Sequence, residues 1–368
     1  MFRLIVLIIF CLFTFAQFPL STITNFVPTN SNSYQNCTPA YPGVKCNPFP
    51  TVSDLSFSTL ELFLNALIGT TNCTNYTDSV ILDGTYVNCY IPDQNPKAVN
   101  GTTLAKNPSG YIDTSAPCTW LIIPGWMTNC NKSVNSVLND YSFQTDMAWN
   151  LNKLGKCNVF ILNYGKFVCD NYVCLLAFLV KRLAYLIAEA IDASNCDVSN
   201  FNVWGISLGA EIAGWIARYL KAKNKMLSLV AVADPAGPFM IGQMCGLFKI
   251  FEFFESGLGA DIAYNTVCLH CNLCCLGTGN TTIAKAHIFL NGGGQQPWIL
   301  PGNEFGNHAS CAAVSAGMTA QSKCLDSITG ANFNYFFCSV APGIYTFNVC
   351  QCYPYCMCKP GGCPYIPY

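Results

Sequence analysis

From Cys118 to Leu290 the apolar residues come in two textures, short unbroken runs and longer stretches in which they recur every three to four positions. The runs Cys118 to Ile123 (CTWLII), Asn158 to Leu162 (NVFIL), Phe201 to Trp204, Leu227 to Ala233 (LSLVAVA) and Ala286 to Leu290 predict strands. Between them, Val137 to Leu154, Cys174 to Ala193 and Ser207 to Ala222 predict helices, the last with small residues on one side. Strands separated by helices of that length imply an α/β class, a mainly parallel sheet with helices on both faces. Such sheets place their sites at the carboxyl ends of strands.

Outside this stretch the pattern fades. Gln17 to about Ser115 is rich in Asn, Thr, Pro and Gly without helical period, and is read as loops and short strands stapled by Cys37, Cys46, Cys73 and Cys89. After about Gly330, Cys338, Cys350, Cys352, Cys356, Cys358 and Cys363 crowd among Tyr, Pro and Gly. In an exported chain that spacing is expected to hold disulfides rather than a metal.

Composition narrows the class. The 368 residues carry 18 Lys and Arg against 19 Asp and Glu, a net charge of −1, which gives no electrostatic footprint for nucleic acid. An apolar share of 52% is too high for a disordered chain. The mean hydropathy of +0.33 raises the question of membranes. Arg3, the apolar run Leu4 to Phe15, and the small residues Thr14 and Ala16 read as a secretory signal at residues 1–16. The other long apolar stretch, Cys174 to Ile191, is interrupted by Lys181 and Arg182, each costing about 2.5 to 3.5 kcal/mol in a bilayer. It is expected to be a buried amphipathic helix, with no stable transmembrane anchor in the chain. Removing the signal takes Cys11 from the 24 Cys and leaves 23, a number suited to an oxidising compartment. Sequons at Asn36, Asn72, Asn75, Asn100, Asn131 and Asn280 fit the same route, so secretion to the extracellular space is expected.

Gly205-Ile206-Ser207-Leu208-Gly209 matches G-x-S-x-G between a predicted strand and a predicted helix. That is the setting of a nucleophile elbow, where glycines let the strand turn tightly and lift a strained Ser Oγ above the sheet. A serine needs an imidazole to take its proton and a carboxylate to orient that imidazole. The chain has only His270, His287 and His308, all downstream of Ser207, which fits a triad in the order Ser, acid, His. Asp234, directly after LSLVAVA, is the candidate acid.

These residues, together with WLIIPGW, NVFILNY, WGISLGAEIAG, VADPAGP, the segment around Thr266 to Asn272, AHIFLNGGGQQP and NHAS, resemble a known family over roughly Pro117 to Gly317. It is that of the pancreatic-lipase-like secreted lipases and phospholipases A1, in the α/β-hydrolase superfamily. The resemblance implies a hydrolase domain over 17–330, with its catalytic core at 117–317 and a Cys-rich tail at 331–368. It puts the catalytic histidine at His308, and makes His270 structural and His287 the opening of the strand before the NGG turn. One oxyanion donor is the Leu208 N–H of the elbow itself, and the resemblance puts the second at the N–H of Trp126. The chain departs from the family at Pro124 and Ile206, where His is usual.

Between the NGG turn and His308 the family carries a lid, here only Gln295 to Asn307. Its Trp298, Ile299, Leu300 and Phe305 form either an interface-binding tip or packing beneath the loop. A reduced lid resembles the phospholipase A1 branch. The tail is too short for the C-terminal β-sandwich of digestive lipases, so no colipase is expected, and no cofactor or metal is called. The expected function is a secreted serine lipase acting on glycerolipids, triacylglycerol or phospholipid, at a membrane or droplet interface. The competing readings are a non-catalytic lipid-binding or yolk-like relative and a Cys-rich structural protein.

Overall fold

The computed structural model describes residues 73, 75–126, 143–168, 170–237, 240, 254–273, 276–294, 296, 304–321, 335–336 and 339–347. The expected signal at 1–16, Cys37, Cys46, Cys338 and the cysteines from Cys350 onward lie outside these residues.

The described chain begins with a short helix α1 (Asp78–Asp83), whose Thr77 cap accepts from Val80 N, and passes into strands β1 (Tyr86–Tyr90) and β2 (Lys97–Asn100). Asn100 then caps α2 (Gly101–Lys106) by accepting from Thr102 N, a local bond that turns the chain out of the sheet. Next come β3 (Thr119–Ile123), α3 (Phe143–Gly155) and β4 (Asn158–Asn163). A short turn α4 (Tyr172–Cys174) runs through a π-helical stretch, Leu175–Leu179, into α5 (Val180–Ala193). Strand β5 (Phe201–Ser207), helix α6 (Leu208–Ala222), and strands β6 (Leu227–Pro235), β7 (Ala263–His270) and β8 (Ala286–Leu290) follow. Helix α7 (Glu304–Gln321) and strand β9 (Gly343–Phe347) end the described chain.

The nine strands form one sheet in the order β2-β1-β4-β3-β5-β6-β7-β8-β9. Strand β1 is antiparallel to both of its neighbours, and every other pairing is parallel. This is the α/β-hydrolase arrangement expected, a mainly parallel sheet flanked by helices. The central strands β3, β4, β5 and β6 are buried on both faces, which is why they read as unbroken apolar runs rather than alternating ones. Alternate residues of β5 feed two separate cores. Phe201 and Val203 join the side chains of α5 and α6, whereas Trp204 and Ile206 join those of α3 and α7. In the second core Trp204 Nε1 donates to Tyr335 Oη at 3.3 Å, and Ser315 Oγ lies 2.9 Å from the same oxygen.

Three expectations are corrected. The stretch read as loops and short strands also contains α1 and α2, and its strands β1 and β2 belong to the central sheet. Cys89, expected to be stapled, is a buried free thiol on β1, pushed up to about 12 by burial. Among the described residues that segment is stapled through Cys73, as expected, by a bridge to Cys174 of α4. Finally, residues 343–347, placed in a separate tail, pair in parallel with β8 from Ala286↔Gly343 to Leu290↔Phe347.

The interrupted helix is amphipathic as expected. Val180, Leu183, Ala184, Ala188 and Ile191 face the core, while Lys181 and Arg182 reach Glu255 and Asp78 at the surface. Among the described residues no helix is long and apolar enough to cross a membrane.

Candidate active site

Strand β5 turns into α6 at Ser207, whose backbone sits at φ 55 and ψ −124. This is a region that a residue with a Cβ occupies only at a cost of about 1 to 3 kcal/mol. The two flanking glycines make the turn possible by proximity. A Cβ on Gly205 would lie 2.6 Å from the carbonyl carbon of Gly209, and one on Gly209 would lie 2.5 Å from the carbonyl oxygen of Pro124. The elbow is therefore closed against itself and against the end of β3, with no room for any larger residue at either position. Ser207 is half-buried, and its helix begins with the fully buried Leu208.

Next to β5, strand β6 ends in Asp234 and Pro235, with Ser207 paired to Pro235 across a bulge. Asp234 also has a positive φ of 44 and is fully buried. Its Oδ1 accepts from the backbone N–H groups of Cys271 at 3.2 Å and Asn272 at 3.1 Å, both just past the end of β7. Its Oδ2 accepts from Nδ1 of His308 at 2.6 Å. That bond requires the proton on Nδ1 when the imidazole is neutral, leaving the lone pair on Nε2. His308 Nε2 is buried and has no partner among the described residues. Catalytic hydrogen bonds are commonly long before substrate arrives, so an unpaired Nε2 is compatible with a base awaiting its proton.

His308 lies in the first turns of α7, and two further groups hold that turn. Asn307 Oδ1 accepts from Gln296 N at 2.8 Å, while Gln296 Nε2 donates to the carbonyls of Cys271, Leu290 and Gly294. A disulfide joins Cys271 to Cys311, one turn beyond His308. The strand end that grips Asp234 is thus covalently tied to the helix that carries its partner. Gln296 and Asn307 were visible in the sequence only as members of the QQP and NHAS motifs, with no sign of their contact.

The loop after β3 completes the surroundings. The Cβ position of Gly125 is 2.9 Å from Ser207 Cβ, so this backbone packs directly on the elbow. Pro124 offers its carbonyl to Tyr164 Oη at 2.7 Å. Trp126 donates from Nε1 to the Asp170 carbonyl at 3.2 Å, and its ring packs 5.1 Å from Tyr172. Leu208 and Trp126 therefore sit on the two backbone segments that border Ser207. Both departures from the family pattern are accommodated, since Ile206 is buried in the second core and Pro124 is anchored by Tyr164.

Ser207, Asp234 and His308 are thus brought to one end of the sheet. His270 and His287 are not brought to them as a base. Their rings instead face each other on β7 and β8, buried, with His270 Nε2 2.9 Å from His287 Nδ1. Of the expected lid, Trp298, Ile299 and Leu300 lie outside the described residues, and Phe305 falls in the first turn of α7 with its side chain outside them. One further buried acid was missed. Glu211, four residues past Ser207, accepts at Oε2 from Ser256 Oγ and Gly257 N and is raised by burial to about 7.

No family model matches the chain, and no curated protein sequence matches it. Among solved structures it is similar to the Francisella virulence factor BioJ, with 15% identity, 50% of this chain and 60% of that one covered, and a TM-score of 0.28. It is similar to MGS-M1, an α/β-hydrolase enzyme from a Medee basin deep-sea metagenome library, with 14% identity, coverage of 51% and 63%, and a TM-score of 0.28. It is also similar to YbtT, a type II thioesterase of a yersiniabactin biosynthetic pathway, with 11% identity, coverage of 43% and 74%, and a TM-score of 0.26. The chain thus spans about 60% of the length of the first two, and these partial overlaps add nothing to the site described above.

Proposed function

We propose that this chain is a secreted serine hydrolase that cleaves carboxylic esters of glycerolipids, triacylglycerol or phospholipid, at a membrane or droplet interface. The observation that carries the hydrolase reading is the buried pair Asp234–His308 at the end of the strand adjoining Ser207, with Ser207 itself held at a positive φ. A serine that only capped a helix has no need of that backbone, and this one makes no side-chain capping bond.

The steps follow from the residues. Nε2 of His308 takes the proton of Ser207 as Oγ attacks the ester carbonyl, and Asp234 keeps the imidazole in the tautomer with its Nδ1 protonated. The N–H groups of Leu208 and Trp126 receive the oxyanion, each contributing about 2.7 to 4 kcal/mol in comparable acyl transfers. His308 returns its proton to the departing alcohol. Water then gives a proton to His308 as it attacks the acyl-enzyme, and a fatty acid leaves with Ser207 restored. No cofactor enters these steps.

The lipid class rests on the sequence resemblance, namely the short segment before His308 with Trp298, Ile299, Leu300 and Phe305. Export rests on the leader-like residues 1–16 and the sequons. The test is mass-spectrometric titration with an active-site-directed phosphonate ester on the full chain and on Ser207→Ala. Stoichiometric labelling of Ser207, absent in the variant, supports the hydrolase and makes a comparison of phospholipid with triacylglycerol the next assay. Folded protein that stays unlabelled even with a lipid surface present refutes it and favours a lipid-binding relative.

A further inference from the structure

Cys268 and His270 alternate along β7 and so point to the same face of the sheet, and His287 stands beside Cys268 in the register of β8. All three are buried, and one ligand-type atom from each lies within 4.8 Å of the other two. None belongs to the triad. His270 Nδ1 is 2.7 Å from the Thr278 carbonyl, and His287 Nε2 is 3.0 Å from the Ala284 carbonyl. A carbonyl only accepts, so each of these nitrogens carries a hydrogen. The nitrogens that remain, His270 Nε2 and His287 Nδ1, face each other at 2.9 Å. In two neutral rings both are lone pairs, which repel unless a positive centre lies between them.

A proton is poorly suited to that place. It would leave an unpaired imidazolium in a core where Cys268, His270 and His287 are all buried. A metal ion differs because it brings its own counter-charge from a thiol. Cys268 Sγ lies beside the His270 ring, 3.9 Å from its protonated Nδ1, and within the 4.8 Å cluster of ligand-type atoms. A soft cation displaces a thiol proton to bind the thiolate. Ring N–H groups donating to carbonyls are also the outer contacts that orient metal-bound histidines.

We propose that Cys268, His270 and His287 form a structural site for a thiophilic closed-shell cation, Zn2+ or Cu(I). Metal–nitrogen bonds of about 2.0 to 2.1 Å at a tetrahedral angle require the two nitrogens to part to roughly 3.3 Å, a shift of a few tenths of an ångström. The ion fastens β7 to β8. Strand β7 runs on directly into Cys271 and Asn272, whose amides hold Asp234, so the site braces the platform of the catalytic acid. It does not depend on Ser207 being reactive.

The test uses the full chain secreted from eukaryotic cells. Its metal content is measured as purified, and again after stripping with a chelator and separate incubation with Zn2+ or, anaerobically, with Cu(I). About one retained equivalent of either ion is expected, and the ion retained tells the two apart. Co2+ substitution is expected to give a thiolate-to-metal charge-transfer band that Cys268→Ser loses. If that variant does not fold, X-ray absorption on the wild-type protein decides. A shell of two imidazole nitrogens and one sulfur supports the site, whereas an all-sulfur shell puts the metal in the cysteine-rich tail and overturns it. Folded protein that retains neither ion, or nitrogen NMR showing a proton held between the two rings, also overturns it.

Discussion

Gly277 has no chemistry of its own, yet its replacement by alanine is expected to disturb the Asp234–His308 pair and, with it, the proposed activity. A Cβ built there lies 2.7 Å from Asp234 Cγ and closer still to its Oδ1 and to the Asn272 carbonyl. Ordinary contact for such an atom begins at 3.4 Å, so the nearest of these atoms must move by about 1 Å. One choice is the Asp234 carboxylate, which Cys271, Asn272 and His308 pin on its other sides. A misplacement of about 1 Å in a catalytic constellation costs on the order of 10²-fold in rate, so a loss of roughly 30- to 100-fold in kcat is expected. The other choice is retreat of the 276–278 turn. That breaks the bonds from Gly277 N to the Asn272 carbonyl and from Gly237 N to the Leu276 carbonyl, at about 1 kcal/mol each. Hydrolysis of a short-chain p-nitrophenyl ester, read beside thermal melting, separates the two responses. A Gly277→Ala protein with kcat within twofold of wild type and an unchanged Tm refutes the reasoning, because it means that neither the carboxylate nor the turn is confined as described.

Other expectations follow from the same geometry. Ser207→Ala is expected to abolish ester hydrolysis, by about 10⁶-fold if the residues act as one unit, while leaving the circular dichroism spectrum intact. Removing the Cys271–Cys311 bridge by double alanine substitution releases a loop of 40 residues and is expected to lower stability by about 4 kcal/mol in denaturant titration. Glu211 is raised from 4.5 to about 7, so the folded state holds its proton over a range where the unfolded state has lost it. Its contribution is full below about pH 4.5 and declines as pH rises towards 7, by about 3 kcal/mol in all. Glu211→Gln is expected to flatten that slope in guanidinium unfolding across the range, and an unchanged slope would assign it to other groups.

How far the molecule could be read in advance depended on where each element buries its residues. Strands β3 to β6 are covered on both faces and announce themselves as apolar runs, and the Gly205 to Gly209 turn is spelled out because only glycine fits its contacts. Asp234 was legible for a related reason, since it ends the run of β6. Strand β7 was not, because Tyr264 is exposed at its start and polar residues of its far end bond inside the protein. Helix α7 was hidden by its composition, Ala, Ser and Gly packed closely in the core, which blurs the usual amphipathic period. Strand β9 is a five-residue edge strand with Ile344 exposed, beside a cysteine-rich stretch. The pairing of Cys73 with Cys174, 101 residues away, depends on tertiary contact that no spacing encodes. The contact of Gln296 with Asn307 is of the same kind.

The positive φ at Ser207 also bears on how this chain could change under selection. Glycine enters that region without steric cost, so Ser207→Gly is expected to be more stable than wild type by about 1 kcal/mol or more while losing every reaction that needs Oγ. A lineage kept only to carry lipid would gain from that exchange at a single codon. Under the proposed function, a hydroxyl on a backbone better suited to hydrogen exchanges stability for reactivity at Ser207.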